Sequence, residues 1–423
     1  MKQKLYLSIA AFFMLSFYSI SQSSLDKHVQ PYIGQAEIKK KISELLAVKP
    51  VARKRPDLTN LSLLKSRFEK FSDFMKPDKK KKISGVTILQ SEEDTKVALR
   101  QTSSACSTPT QQVWSNFLSH DLLEAPFWAA LPDPSGAVSA TQVVVATRFI
   151  IKVYDKPAVT DLPVVTPGGY SRDMAHSSFS ITLDQFFSPV LPEGSFTDAP
   201  HLRYDRLSKC WFVTAIEVNP FKFENNLILI AVSNGDKIRD SSSFTYYSFH
   251  SSILPHDTTG FLNPSLGIDK NSVLIGGRQY GNDSITFVGY VINKEKLIKG
   301  NLIVYPFALG GIKLATRSIT GPLQPLGVHN DDPAAKKSFF IGVNATFDSL
   351  IVKNIEYDKR KIPILTSESI IRVPDWNRLT SISAPGGLTP IEIPINTPLL
   401  DAAIYKNKLY RQQQFMDGTY YRD

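Results

Sequence analysis

The chain has 423 residues, a formal net charge of +10 and two cysteines, which are too few for a thiolate metal cluster. The positive charge is concentrated near the N-terminus: residues 22–82 hold sixteen Lys or Arg against seven Asp or Glu, and residues 83–423 are close to neutral. A basic stripe indicates phosphate binding only when the folded surface carries it. We therefore predict no nucleic-acid partner.

Residues 1–21 have the order of a secretory signal peptide. Lys2 and Lys4 precede a mostly apolar run at 5–20, and the small residues Ser19 and Ser21 stand at its end, which predicts cleavage close to Gln22. The run is short for a membrane span, and no later stretch is long and apolar enough to be one. We predict an exported protein, extracellular, at the cell surface or periplasmic, without a transmembrane segment after cleavage.

Residues 22–82 form a basic segment with two helical patterns, at 36–47 and 58–75. This composition is typical of a solvated, partly helical linker or pro-segment. Contact with an anionic lipid or polysaccharide is the alternative.

One sequence motif recurs along the chain. It consists of a polar residue near a proline, an apolar run, a polar turn and a second apolar run. Its copies begin at Asp133, Asp198, Asn263 and Gln324, with a fifth near Pro398, so that the steps are 65, 65, 61 and 74 residues. A period of this length indicates a repeat architecture.

Copies two to four each read as four β-strands, and the first fits this pattern less cleanly; in the second copy the strands are 200–204, 210–216, 226–233 and 243–249. A fixed period with four strands per unit predicts an all-β protein, a β-propeller of four-stranded blades about 60–75 residues long, over residues 83–423. Two β-sandwich domains are the rival fold. The fifth copy has only its first strands, so either residues 83–125 complete the ring or the chain is a fragment.

Several phrases resemble a group of exported bacterial β-propeller proteins of uncharacterised activity. They are Pro-Asp-Pro-Ser-Gly-Ala-Val at 132–138, Tyr-Asp-Arg-Leu-Ser-Lys-Cys-Trp at 204–211, Leu-Ile-Ala-Val-Ser at 229–233 and Gly-Ile-Asp at 267–269. Cys210 departs from the arginine expected before the tryptophan. The resemblance covers about 130–345 and implies a propeller and export, with an architecture like that of sialidases but without their Asp-box turn.

Two polar positions per repeat are predicted to lie at one rim of the central channel, because the start of strand one and the end of strand two meet at the same end of an antiparallel pair. Loops on a rigid scaffold commonly carry binding sites. The candidate ligand-binding residues are Asp133, Arg148, Asp198, Glu217, Asn263, Arg278, Gln324, Asn344 and Gln413. The alternative for each is a strand end that holds a turn by side-chain hydrogen bonds.

Other chemistry is sparse in the sequence. Cys106 and Cys210 are a candidate disulfide, with two buried thiols as the alternative. Calcium is a weak candidate at 329–332 and 236–240, where the acidic residues lack an ordered Asp-x-Asp-x-Asp-Gly spacing. No cofactor is otherwise predicted.

We predict a monomeric binding module for an extracellular glycan or protein, with no assigned catalytic residue. The alternative is a sialidase-like glycoside hydrolase, which would use arginines for a substrate carboxylate and carboxylates for acid, base or nucleophile work. Its candidates are Arg148, Arg278, Glu217, Asp133 and Asp198.

Overall fold

The computed structural model describes fifteen stretches of the chain. They are residues 29–34, 38–49, 133–156, 177–219, 224–239, 243–252, 260–281, 283–313, 315–316, 318–346, 348–373, 381–382, 391–392, 399–405 and 408–413. The predicted signal peptide, the helical pattern at 58–75 and Cys106 lie outside these stretches.

The described residues are mostly β-strand, with three short helices. In chain order the elements up to the second blade are β1 (Tyr32–Ile33), β2 (Ile38–Lys41), α1 (Ile42–Leu46), β3 (Ser135–Val138), β4 (Gln142–Ala146), β5 (Ile150–Asp155), β6 (Phe179–Thr182), α2 (Leu183–Phe186), β7 (Phe196–Asp205), β8 (Cys210–Val218), β9 (Leu227–Ser233) and β10 (Ser243–His250). They continue with β11 (Gly260–Leu262), β12 (Gly267–Ile268), β13 (Ser272–Tyr280), β14 (Ser284–Asn293), α3 (Lys294–Ile298), β15 (Ile303–Lys313), β16 (Ser318–Thr320), β17 (Leu323–Gly327), β18 (His329–Asn330), β19 (Ser338–Val343), β20 (Ser349–Tyr357) and β21 (Pro363–Arg372). The last strands are β22 (Ser381–Ile382), β23 (Ile391–Glu392), β24 (Leu399–Tyr405) and β25 (Lys408–Gln413).

Four antiparallel sheets follow one another as propeller blades. Blade I is β3-β4-β5-β6, blade II is β7-β8-β9-β10, blade III has β11 and β12 followed by β13-β14-β15, and blade IV is β17-β19-β20-β21. The first strands of neighbouring blades contact one another, so these strands are the innermost ones. The predicted all-β propeller with four-stranded blades is confirmed. In the described part of the chain, β24 and β25 form a further hairpin, and β24 pairs in parallel with β18.

Successive blades are held together by apolar side chains from both faces of the same strands. In β8, Trp211 and Val213 belong to the core shared with blade I, whereas Phe212 and Ile216 belong to the core shared with blade III. A third core joins blades III and IV around Phe287 and Phe340. Because successive residues of a strand point to opposite faces, strands between two blades must be apolar on both faces. This explains the near-continuous apolar runs in the sequence.

Part of the basic N-terminal segment adds strands to the outer edges of two blades. β2 pairs with β10 of blade II, and β1 pairs with β15 of blade III. The helix predicted at 36–47 is shorter than its pattern, because 38–41 join the sheet and only α1 is helical. Leu45 is buried in the core between blades I and II, and the added strands cover backbone edges that would otherwise be open.

At the end of the blades where strands one and two turn, polar groups connect neighbouring blades. The Gln142 side chain of blade I donates to the Ile238 carbonyl oxygen and accepts from the Ile238 N–H of blade II, at 2.8 and 2.7 Å. The Lys294 ammonium of blade III lies 2.8 Å from Oδ2 of Asp205 in blade II, and both side chains are almost fully buried. An ion pair this deep stabilises the junction only while both partners are present.

We predict that Lys294→Met lowers the free energy of unfolding by about 3 kcal/mol, because it leaves the Asp205 carboxylate buried without its counter-charge. Lys299→Met is the matched control on the neighbouring turn, because Lys299 makes an exposed ion pair with Glu295 and such pairs contribute about 0–1 kcal/mol. Urea denaturation of the two variants gives the comparison. Equal losses in both would contradict the assigned importance of the buried pair.

Candidate functional site

The innermost strand of each blade begins with the same uncommon backbone conformation. A non-glycine residue with positive φ stands directly before a proline in all four blades: Asp133, Ala199, Asn263 and Gln324, with φ of 41°, 47°, 53° and 48°. Only a few per cent of non-glycine residues adopt positive φ, and a following proline restricts the backbone further. The end of the blades that carries these four residues is called the rim below.

The left-handed residue coincides with a β-bulge in three blades. The register between strands one and two shifts between Asp198 and His201 in blade II and between Leu323 and Leu326 in blade IV. In blade III, the stretch from Leu262 to Gly267 also has one more residue than the strand opposite. A bulge leaves one residue unpaired and bends the strand. The innermost strands therefore bend at the rim, and their regular pairing with the second strand of the blade is interrupted there.

This bend brings side chains of one blade to the backbone of the next. The Ser135 hydroxyl oxygen accepts from the Leu202 N–H across blades I and II at 2.9 Å, and that of Ser265 accepts from the Gly327 N–H across blades III and IV at 3.0 Å. Both serines stand two residues after the left-handed residue. Between blades II and III the contact is different, because Arg203 Nε donates to the Leu266 carbonyl oxygen at 3.1 Å.

Three of the predicted site residues come together between blades I and II. Arg148 lies opposite Asp133 by extension of the β3–β4 register, and its Nε lies 2.5 Å from Oδ1 of Asp198 in the next blade. Asp198 Oδ1 also accepts the Ala199 N–H at 2.8 Å. The rim therefore holds two carboxylates beside one guanidinium, an arrangement suited to charge-assisted hydrogen bonds.

The two carboxylates of this group differ in their surroundings. Asp133 as a residue is exposed, yet desolvation of its carboxyl raises its pKa above the ordinary value, and the charge of Arg148 opposes part of the rise. Asp198 is fixed by both Arg148 and its own loop backbone. Nearby carboxyls with different environments can take different protonation states.

The predicted amides of blades III and IV lie at the equivalent backbone positions. Asn263 is half-buried. Gln324 is buried, and its Oε1 atom has no hydrogen-bond partner among the described residues. A buried acceptor without a partner is uncommon and calls for an explanation such as water or a ligand.

The other predicted rim residues have local roles. Glu217 is buried, where Oε1 accepts from the Ser195 hydroxyl at 2.6 Å and Oε2 from the Leu227 N–H at 3.0 Å. The Arg278 guanidinium is buried 6.0 Å from the ring centroid of Phe287.

Asn344 holds the β19–β20 turn, with its Oδ1 accepting from the N–H groups of Asp348 and Ser349. Gln413 belongs to β25, where it pairs with Leu399. For Asn344, the turn-holding alternative describes the observed contacts.

The calcium and disulfide candidates have the following surroundings. His329 Nε2 lies 3.1 Å from Asp331 Oδ1, and Arg206 Nη1 lies 3.4 Å from Asp331 Oδ2. Within the described stretches, no three His, Cys, Asp or Glu side chains form a group that could hold a metal ion. The Cys210 thiol is buried and donates to the Ser208 carbonyl oxygen, and its pairing with Cys106 stays a prediction.

Sequence reasoning missed the serines that connect the blades. Ser135 and Ser265 stand at the same distance from the proline of their repeat, so an alignment on proline brings them into one column. An alignment on the polar residue instead shifts the second repeat by one, because there Asp198 precedes the left-handed Ala199.

No protein-family model matches the chain, and no curated protein sequence matches it. Solved structures with a similar architecture include two glycoside hydrolases. Zg3597, a family 117 glycoside hydrolase produced by the marine bacterium Zobellia galactanivorans, is 9% identical with a TM-score of 0.30, covering 56% of this chain and 69% of its own. A GH43 endo-arabinanase from Bacillus licheniformis is 11% identical with a TM-score of 0.28, covering 68% of this chain and 95% of its own. Similarities this low carry no argument about the chemistry of this chain.

We predict that Ala199→Gly raises the free energy of unfolding by about 0.5–1 kcal/mol, because glycine adopts positive φ without the steric cost that alanine has there. Ala334→Gly is the control: Ala334 is exposed and does not have positive φ, so the same change there lowers stability by some tenths of a kcal/mol. Chemical denaturation of both variants measures the difference. A destabilised Ala199→Gly variant would contradict the assigned backbone conformation.

A second prediction concerns the charges of the rim. Arg148→Met raises the pKa of Asp133, because the positive charge that lowers it is removed. Arg206→Met leaves the pKa of Asp133 unchanged and raises that of Asp331, because Arg206 lowers the latter. Carboxyl ¹³C NMR titration of aspartate-labelled protein, assigned with Asp133→Asn, reads both values. An unchanged Asp133 pKa in Arg148→Met would show that the two groups are not neighbours in solution.

Proposed function

We propose that this protein is exported and, as a monomer, binds an extracellular glycan through the rim between blades I and II. The observation that supports this most directly is the group formed by Asp133, Arg148 and Asp198, in which one guanidinium contacts Asp198 of the next blade and offsets part of the desolvation that raises the pKa of Asp133. Asp133 and Arg148 lie just outside strands β3 and β4, and Asp198 lies within β7 beside its bulge, on a scaffold of packed blades.

The chemistry of the rim favours a glycan over a protein ligand. Sugar hydroxyls both donate and accept hydrogen bonds, and carboxylates, amides and guanidinium groups complement them with planar, directional contacts. The rim offers these groups at consecutive repeats, including the amides of Asn263 and Gln324. The buried Oε1 atom of Gln324 adds an acceptor that has no donor among the described residues. A few well-placed polar groups are what fixes the orientation of a small ligand.

Glycoside hydrolysis at the same rim is the second candidate function. It is favoured by one observation, the raised pKa of Asp133 beside a second carboxylate that is held in an ion pair. Two nearby carboxyls whose surroundings separate their pKa values are the arrangement that glycosidases use. Binding is preferred because Glu217 is occupied by Ser195 and Leu227, and because Arg278 is buried against Phe287.

We predict that Asp198→Asn weakens glycan binding about tenfold or more, because it removes a charge-assisted contact and releases Arg148. The matched control is Asp331→Asn, which removes the carboxylate of another Arg–Asp pair, formed with Arg206, and leaves binding within about twofold of wild type. A glycan array identifies the ligand, and calorimetry on the full exported chain measures both variants. Equal affinity for wild type and Asp198→Asn would refute the rim proposal, and hits among proteins alone would replace the glycan with a protein ligand.

The glycans identified on the array are also used to distinguish binding from hydrolysis. Each glycan retained by the array is incubated with the protein, and new reducing ends are measured. Binding alone releases none. Release that Asp133→Asn abolishes while affinity is kept would establish hydrolysis instead.

A further inference from the structure

A polar cavity lies between blades III and IV. It is at the end of the blades where strands one and two are joined by a turn, which is the end opposite the rim. It is a space of about 380 Å³, part of it open to solvent. Its polar lining comes mainly from the β12–β13 turn, the end of β14 and the hairpin between β20 and β21, namely Lys270, Asn271, Ser272, Asn293, Tyr357 and Lys361, together with Glu295 of α3. None of these residues belongs to the rim.

The floor of this cavity is a fixed chain of hydroxyl groups. The Ser272 and Tyr357 hydroxyls are 2.6 Å apart, and both residues line the cavity. Behind them, Ser338 contacts both Tyr357 and the buried carboxylate of Asp269. Because Asp269 also accepts the N–H groups of Asn271 and Ser272, the floor is held by both blades and is rigid before any ligand arrives.

The walls of the cavity carry more positive than negative charge. Lys270 is exposed and makes no hydrogen bond or ion pair with the described part of the chain. Glu295 is the one carboxylate among the lining residues, and it already contacts two ammonium groups, Lys299 at 2.8 Å and Lys361 at 3.0 Å. The pKa of Glu295 is lowered to about 2 by these contacts. The Glu295 carboxylate is therefore ionised, and its negative charge is balanced by Lys299 and Lys361 and not by Lys270.

The remaining groups complete a donor-rich site with one apolar side. The Asn293 Oδ1 atom is used by the Lys296 N–H, which leaves its Nδ2 as a donor. The side chains of Val291, Tyr305 and Pro363 supply apolar lining. Several donors converging on one point suit an oxygen anion, whose lone pairs accept all of them, and an apolar wall suits the carbon skeleton attached to it.

We propose that the cavity between blades III and IV binds a small organic oxyanion, a carboxylate or a phosphate ester, with Lys270 and Lys361 contacting the charged group. The Ser272 and Tyr357 hydroxyls of the floor donate along the chain that ends at Asp269, so they shape the site and supply no proton to the anion. An acidic sugar and a sugar phosphate both have this chemistry. This site is independent of the rim and of the function proposed for it.

The test is calorimetric titration of the full exported chain with glucuronate, glucose 6-phosphate and neutral glucose at constant ionic strength, because salt screens exposed charges. Lys270→Gln and Lys361→Gln each weaken binding of the anion about tenfold, as expected for the loss of one charge-assisted contact. Lys336→Gln, a change of another exposed lysine that lies outside the cavity lining, leaves binding unchanged.

Binding of glucuronate alone identifies the anion as a carboxylate, and binding of glucose 6-phosphate alone identifies it as a phosphate; either outcome supports the site. Three outcomes overturn it: no anion binds, glucose binds as tightly as the anions, or Lys336→Gln weakens binding as much as Lys270→Gln. Thermal unfolding of each variant verifies that it is folded. The rim variant Asp198→Asn keeps its anion affinity, which separates failure of this proposal from failure of the glycan proposal.

Discussion

The left-handed residue before proline is the constraint on which the arrangement of the blades depends. A residue of this kind costs about 1–3 kcal/mol and persists only where the surrounding contacts over-determine it. Here it recurs in four blades, and in each case the turn directs the chain along the neighbouring blade. The Ser135 and Ser265 hydroxyls then satisfy backbone N–H groups of the next blade that face away from their own sheet. The local cost is thus offset by hydrogen bonds that only a bent innermost strand can make. The same bend places Asp133, Asn263 and Gln324 at one end of the blades.

The opposite end of the innermost strand is fixed by a second repeated position. Six residues after each left-handed residue stands a buried polar side chain, namely Ser139, Asp205, Asp269 or Asn330. Each accepts a backbone N–H group of the turn that follows. In blades II and III this residue is a carboxylate that also reaches a neighbouring blade, through Lys294 for Asp205 and through Ser338 for Asp269. In blades II, III and IV the strand is therefore anchored at both ends, by a bulge at the rim and by a side-chain cap at the turn. In all four blades the two positions keep the same spacing of six residues.

The sequence was informative wherever one residue type decides the local structure. The period of the motif and the apolar runs predicted the blades, because strands between two blades must be apolar on both faces. The positive φ could not be predicted, because Asp, Ala, Asn and Gln share no side-chain property that indicates it. Alanine in particular disfavours a positive φ. Among the site residues, strand register predicted Asp133, Arg148 and Asp198 at the same rim as the other candidates, and in the structure Arg148 contacts Asp198. The sequence could not distinguish Glu217 and Arg278 from these three residues. The side-chain directions of Glu217 and Arg278 depend on Ser195, Leu227 and Phe287, which contact them only in the folded blade.

Charge is divided between the two ends of the blades although the repeat region is close to neutral. Carboxylates and amides predominate at the rim, whereas the cavity at the turn end of blades III and IV is lined by Lys270 and Lys361 around the exposed carboxylate of Glu295, with the buried carboxylate of Asp269 behind its floor. Apolar cores lie between these two ends, and the charges at each are paired mainly within their own group. Sites separated in this way and without shared partners respond to mutation independently. A change at one end therefore has no direct contact through which to alter the other, and the near-zero net charge of the propeller is the sum of two ends that differ in charge.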